Sequence, residues 1–297
     1  DGNVAAGQQL IVNAQSLRAG EDFTFDGSAE TDGTFLVYGG HGVDDLTGGA
    51  GNDIFLFEGT RWGASDRVDG GAGRDAVVIS GGNGITHIAF AADSLTDVES
   101  ISVNNLLASD PSQVPSYDFV LSNGNVGSSG TLIVNGSSIP GGAGQVVNID
   151  GRAILDGRLI LFGSGGHDVI TGGAGNDLIF GGGGQDSLAG GAGADVFRYD
   201  SVSDSPAGAN DLIADFQPFG LDKIDLSRID ANSLAVGDQA FTWIGANAFS
   251  GAAGELRVRD SGGYRWVEGD TNGDSVADFA IQFYANSAPQ VQADFIL

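Results

Sequence analysis

The chain has no cysteine and no methionine, only three histidines, and 12 Lys+Arg against 39 Asp+Glu in 297 residues. Without cysteine there is no disulfide, no thiolate metal site and no thiol nucleophile, a pattern that fits an extracellular bacterial protein stabilised by something other than covalent staples. His41, His87 and His167 are too few and too scattered for an H-E-x-x-H zinc site, and no G-x-S-x-G elbow occurs. The glycine-rich stretches lack the G-K-[ST] ending of a phosphate-binding loop and precede strands rather than helices. No apolar run approaches the ~20 residues needed to cross a bilayer, so membrane insertion is not expected. The scarcity of cations leaves a formal net charge of -27, which makes nucleic acid and anionic lipid surfaces poor partners.

What the chain has in abundance is glycine, 51 residues of it, and the glycine is periodic. From Gly163 to Arg198 four nonapeptides run without a break, GSGGHDVIT, GGAGNDLIF, GGGGQDSLA and GGAGADVFR. An earlier array reads GGHGVDDLT and GGAGNDIFL from Gly39 to Leu56, and GGAGRDAVV follows from Gly70 to Val78. In the form G-G-x-G-x-D-x-U-x, six residues rich in glycine turn sharply, because glycine enters left-handed backbone at little steric cost. The final x-U-x is a short strand with its apolar residue U turned into a core. Two such units complete one coil, so aspartates two repeats apart stack on one side, Asp168 with Asp186 and Asp177 with Asp195. Turn carbonyls such as those of Gly172, Gly173, Ala174 and Gly175 stand beside them. Hard oxygen ligands in that arrangement suit Ca2+, and Asp44, Asp53 and Asp75 supply the same position in the first array.

This nonapeptide resembles the calcium-binding parallel β-helix repeat of RTX proteins. The resemblance implies an all-β fold, several bound Ca2+ ions and secretion. Without bound cations the carboxylates would repel one another as the chain compacts, so folding is expected to follow calcium. The alternative of an acidic disordered tail is disfavoured by 41% hydrophobic residues in periodic Val, Ile, Leu and Phe.

A longer repeat sets the architecture. LIVN at Leu10 recurs at Leu132, while Asp26-Gly27, Asp32-Gly33 and the array opening at Gly39 recur 124 residues later, at Asp150-Gly151, Asp156-Gly157 and Gly163. Two tandem parallel β-roll or β-helix modules with calcium-filled turns are expected over residues 1–125 and 126–200, followed by a β-rich cap and secretion domain over 201–297. Asp32 and Asp156, one turn upstream of each array, are candidates for the first carboxylate of each stack, facing Asp53 and Asp177, or are ordinary Asp-Gly turn residues. Between the arrays, VESISV, YDFVL, TLIVN and QVVNI read as strands of a calcium-free segment that continues the core. Its sparse acids Asp93, Asp97, Glu99, Asp110 and Asp118 form no catalytic cluster. A hinge between the modules, if there is one, falls around Ala108 to Pro115.

Past the arrays, DIFLFEGTRWGASDRVDG and DVFRYDSVSDSPAGANDLIADF leave the strict repeat alike, and IADFQPFGLDKIDLS follows from Ile213 to Ser227. These segments resemble the end of the β-roll in serralysin-type proteases and related type I secreted proteins. The resemblance implies that Asp66 and Asp211 close the last ion sites, with Asp215 assisting, and that the terminal Asp294-Phe295-Ile296-Leu297 is an export signal read by the type I secretion machinery. In Asp270 to Asp278, alternating oxygen side chains suggest a further calcium loop of Asp270, Asn272, Asp274 and Asp278. The glycine and closing glutamate of an EF-hand are missing from their places, and a plain hairpin loop is the competing reading.

The sequence thus points to a non-enzymatic calcium-binding region secreted by a Gram-negative bacterium to the exterior or the cell surface. A calcium-assembled surface protein of S-layer or adhesin type is the alternative, with self-assembly in place of support for a parent protein. A chain that starts at Asp1 and lacks methionine reads as part of something longer or as a processed product. Any protease, hydrolase or epimerase domain would then lie upstream.

Overall fold

A computed structural model describes residues 4–82, 84–104, 115–126, 130–141, 144–218, 221–284, 289 and 291–297. The segment around Ala108 and Asp110 lies outside them. The described residues contain strands and short 3-10 turns, and no α-helix.

Strands β1 (Gln9–Asn13), β2 (Phe23–Asp26), β3 (Thr34–Tyr38), β4 (Asp44–Thr47), β5 (Ile54–Glu58), β6 (Arg67–Asp69) and β7 (Ala76–Ser80) build the first array. The middle holds β8 (Ile85–Ala89), β9 (Leu95–Thr96), β10 (Ser100–Asn104), β11 (Ser116–Val120), β12 (Thr131–Asn135) and β13 (Val147–Asp150). The second array contributes β14 (Arg158–Phe162), β15 (Val169–Thr171), β16 (Leu178–Phe180), β17 (Ser187–Ala189) and β18 (Val196–Arg198). After it come β19 (Asp211–Ile213), β20 (Lys223–Asp225), β21 (Thr242–Gly245), β22 (Glu255–Ser261), β23 (Tyr264–Asp270), β24 (Phe279–Tyr284) and β25 (Phe295–Ile296).

Through the two arrays, successive strands alternate between two faces of a coil. One face is a single sheet of eleven strands, β1-β3-β5-β7-β10-β12-β14-β16-β18-β20-β25, parallel throughout. It passes from β10 to β12 in register, Ser100 opposite Ile133, so the middle segment joins the two arrays through one continuous sheet. The opposite face is divided: β2-β4-β6-β9 back the first array, and a ten-stranded sheet from β8 to β21 backs everything after it.

The strand residues explain the packing. In the strict repeats each three-residue strand buries only its central apolar residue, Ile170, Ile179, Leu188 and Phe197 at 0–1% exposure. Parallel register stacks these residues, Ile179 beside Phe197 and Ile170 beside Leu188, into two facing rows. One buried side chain contributes ~1.5–3 kcal/mol, a small return for ordering nine residues, so the glycine turns require a second source of cohesion. In the middle segment β10 and β12 are longer and bury two apolar residues each, Ile101 and Val103 in β10 and Leu132 and Val134 in β12.

At the far end the topology changes. β22 and β23 form an antiparallel hairpin around Gly262-Gly263, where both glycines take positive φ (65° and 84°). β24 returns antiparallel to β23 and pairs in parallel with β19. β25 closes the long sheet on β20, with the Leu226 N–H donating to the Ile296 carbonyl at 2.9 Å, and Phe295 packs against Trp243. Phe295 and Ile296 of the terminal tetrapeptide thus form a strand of the coil.

Candidate calcium sites

Each sixth-position aspartate of the repeats is buried, at 0–1% exposure for Asp44, Asp53, Asp75, Asp168, Asp177, Asp186 and Asp195. Each sits at the end of a turn and aims its carboxylate along the coil axis. There, in all of them but Asp44, one oxygen accepts the N–H of a residue one coil earlier in the chain. Asp195 Oδ1 accepts from Asp177 N at 2.8 Å and Asp177 Oδ1 from Leu159 N at 2.8 Å. On the opposite side Asp186 Oδ1 accepts from Asp168 N at 2.9 Å and Asp168 Oδ1 from Val147 N at 2.7 Å. In the first array Asp75 Oδ1 accepts from Asp53 N at 2.7 Å, Asp53 Oδ1 from Phe35 N at 2.7 Å, and Asp66 Oδ1 from Asp44 N at 3.0 Å.

The second oxygen distinguishes two kinds of turn. At the head of each column it folds back on its own turn: Asp53 Oδ2 accepts from Gly49 N, Asp177 Oδ2 from Gly173 N, Asp168 Oδ2 from Ser164 N and Asp44 Oδ2 from Gly40 N, at 2.5–2.8 Å. One coil further on, Gly71, Gly182 and Gly191 take left-handed φ of 86–93°. There the second oxygens of Asp75, Asp186 and Asp195 are buried with no donor among the described residues, as is Asp44 Oδ1. At several turn positions the backbone leaves no room for a side chain. A Cβ on Gly172 would lie 2.5 Å from Asp177 Oδ2 and collide with the Gly190 carbonyl, and one on Gly175 would collide with the Gly157 carbonyl. The Ala174 N–H donates to Ile154 O.

A buried carboxylate oxygen without a donor is costly unless a cation meets it, and the ionisation of these groups registers that cost. Burial, joined by neighbouring carboxylates, pushes Asp75 and Asp195 up to about 7, and burial pushes Asp44 and Asp168 up to about 6. Asp186 and Asp211 are raised by burial and, for Asp186, by the charge of Asp211. Burial raises Asp53, Asp66, Asp177 and Asp222 as well. Oxygen donors of formal charge, stacked among backbone carbonyls and short of hydrogen-bond donors, fit a hard divalent cation. Among the described residues no three Asp, Glu, His or Cys side chains converge as a metal cluster, so carbonyl oxygens have to complete any coordination shell.

The columns end in residues outside the strict repeat. Asp211 Oδ1 accepts from Asp186 N at 2.8 Å, with Tyr199 buried beside it. Asp222 Oδ1 accepts from Asp195 N at 3.0 Å, and its Oδ2 from Gln217 N at 2.7 Å. Asp215 receives Gly190 N and Gly191 N at 2.9 Å each, which places it at the turn of Asp195 rather than at Asp211. Asp222 was not among the sequence candidates. Its signal is the Asp-Lys-Ile-Asp run, an acid two residues before an inward apolar side chain.

Asp32 and Asp156 are exposed and do not reach Asp53 or Asp177. The positions that face those aspartates belong to the N–H groups of Phe35 and Leu159, the first inward residues of β3 and β14. The buried acid of the first upstream turn is Glu30, whose Oε1 accepts from the N–H groups of Thr31, Asp32 and Gly33 at 3.2–3.3 Å. The corresponding residue of the second turn is Ile154, and both turns offer the same carbonyl to the array, Glu30 O to Ala50 N and Ile154 O to Ala174 N.

In the far loop Asp270 is fully buried and accepts from the N–H groups of Asn272, Gly273 and Ser275 at 2.7–3.2 Å. Asp278 accepts from Thr271 N, Thr271 Oγ1 and Asn272 Nδ2 at 2.8–2.9 Å, while Asp274 is exposed. Three of the four candidates are thus brought together by hydrogen bonds that hold the loop. The histidines lie apart from the columns: His41 is exposed, His87 pairs with Asp118 at 2.7 Å, and His167 meets the Gln185 backbone across one coil.

Compared with known proteins, residues 2–297 match the family model described as peptidase M10 serralysin C terminal. No curated protein matches the chain.

Proposed function

The chain belongs to the serralysin C-terminal family, and we propose that it is a non-enzymatic, secreted calcium-binding region that folds when Ca2+ binds after export and stabilises the protein it is part of. The observation that carries this reading is the set of buried carboxylate oxygens on Asp44, Asp75, Asp186 and Asp195 that have no donor among the described residues. Asp53 with Asp75, Asp177 with Asp195 and Asp222, Asp168 with Asp186 and Asp211, and Asp44 with Asp66 would hold the ions, with turn carbonyls as further ligands. Bound Ca2+ supplies positive charge that offsets the cost of burying these carboxylates. The chain's own part is to bring the carboxylates into register through the row of inward apolar residues, and to keep side chains out of the turns with glycine.

In the cytosol, where free Ca2+ is scarce, a chain of net charge -27 repels itself and stays open for export by the type I machinery. Outside, sites of ~0.1–1 mM affinity, the range of extracellular modules, fill at ambient calcium, and each ion adds stability according to its saturation. The test is a calcium titration followed by far-UV circular dichroism and light scattering, with Mg2+ as control. A cooperative gain of β signal near millimolar Ca2+ at monomer mass is the expected result. Full folding in chelator refutes calcium-driven folding, and growth in mass with calcium refutes a supporting module in favour of an assembling surface protein.

A further inference from the structure

We propose that the first array ends in a Ca2+ site closed by Glu99, outside the nonapeptide repeats, with Asp75 and the backbone carbonyl of Asp97 as further oxygen donors. This rests on the calcium reading above and adds to it a site that the repeat motif does not contain.

The strand register shows how a non-repeat segment takes the place of a repeat. Asp69 pairs with Thr96 and Ala76 with Ser100. The turn Gly70–Asp75, six residues long, is therefore matched one coil later by three residues, Asp97–Glu99. A turn shortened by half brings its acid less far toward the coil above, and the extra methylene of glutamate restores the reach. Glu99 Oε2 accepts the Asp75 N–H at 2.6 Å. This is the contact that Asp222 makes to Asp195 N, Asp211 to Asp186 N and Asp66 to Asp44 N at the other three column ends.

Asp97 stands opposite Gly70 and holds a left-handed φ of 44°. A Cβ built on Gly70 would collide with the Asp97 carbonyl oxygen and lie 2.7 Å from Asp75 Oδ2. The same pair of oxygens, the turn's own Oδ2 and the carbonyl one coil later, flanks Gly48 and Gly172 inside the strict repeats. Asp97 thus presents a carbonyl where the repeats present that of a glycine.

The observation that points to an ion is Asp75 itself, 1% exposed, with Oδ2 buried and no donor among the described residues. The Arg67 guanidinium of this coil is engaged by Asp93 at 2.8 Å. A buried anionic oxygen beside a second carboxylate and a carbonyl has the ligand chemistry of a hard divalent cation.

Two variants test the assignment in the full chain, by counting bound Ca2+ with equilibrium dialysis and following folding by circular dichroism. Glu99→Gln keeps an oxygen that accepts the Asp75 N–H and removes the charge. Glu99→Asp keeps the charge and loses the reach. Each is expected to fold in calcium and to bind one ion fewer than the parent, while Asp45→Asn, an exposed acid on β4, leaves the count unchanged. An unchanged count and affinity in Glu99→Gln overturns the proposal, as does full retention in Glu99→Asp. If a variant folds poorly, terbium luminescence of the parent, titrated against calcium, must still resolve one site that Glu99→Gln lacks. A parent chain that binds no calcium would instead sink the reading on which the proposal rests.

Discussion

Replacing Asp195 with asparagine is expected to change sign with calcium. The side chain is fully buried; Oδ1 accepts the Asp177 N–H at 2.8 Å and Oδ2 has no donor among the described residues. Asparagine keeps the first contact and the shape, and removes the charge. With ~10 mM Ca2+ and sites of ~0.1–1 mM, one lost ion removes about 1.4–2.7 kcal/mol of stability. In chelator the balance reverses. Burial raises the Asp195 carboxyl to about 7, so ionising it in the fold at pH 8 costs on the order of 4 kcal/mol relative to an unfolded aspartate. The asparagine variant escapes that cost and gives back about 1–3 kcal/mol for an amide N–H2 without acceptors. It should therefore be more stable than the parent in chelator by about 1–3 kcal/mol and less stable in saturating calcium. Urea unfolding at a series of calcium concentrations, with sucrose added to populate the fold in chelator, measures both arms. A variant that is less stable than the parent by the same amount at every calcium concentration would refute the argument, because Asp195 would then be a structural hydrogen-bond acceptor and nothing more.

The same carboxylates set a pH profile. Their folded pKa values are raised, so in chelator the stability they contribute is fully present below ~4 and is lost as pH rises through about 6 for Asp44 and Asp168 and about 7 for Asp75 and Asp195; urea midpoints measured from pH 4 to 8 should fall in chelator and stay level in saturating calcium, and a level profile in chelator would contradict the assigned burial cost. Gly191 holds φ 93° and faces the Gly173 carbonyl, so Gly191→Ala should cost more than ~1–2 kcal/mol at saturating calcium, whereas Ala192→Gly in the same turn should cost less than ~1 kcal/mol; equal urea midpoints for the two would show that the turn does not depend on left-handed backbone.

The parallel coil was legible because its grammar is local. One apolar residue in nine, two residues after an aspartate, fixes which side chain faces inward, and Ile170, Ile179, Leu188 and Phe197 all do. The strands of the middle segment and the hairpin at Gly262-Gly263 were legible for the same reason: alternation and turn residues are short-range signals. The strand partners at the two junctions were not. Nothing near β8 or β9 says that one face of the coil ends its sheet there while the other runs on from β10 to β12, because that choice is made by residues far apart in sequence, such as Ser100 and Ile133.

The acids show where a motif misleads and where its physical content does not. Asp32 and Asp156 look like repeat aspartates because Asp-Gly precedes a strand, yet each lies three residues before the inward residue, Phe35 or Leu159, that faces the column. Asp222 and Glu99 sit in segments without the glycine pattern. Each nonetheless lies two residues before a buried isoleucine, Ile224 or Ile101, and each receives the N–H of the aspartate above it. Position relative to the inward side chain places such an acid at the turn, because that side chain fixes the strand's phase; Asp93, likewise two residues before the buried Leu95, turns instead to Arg67. Glycine decides only how long the turn is, and at Glu99 a shorter turn is met by a longer acid.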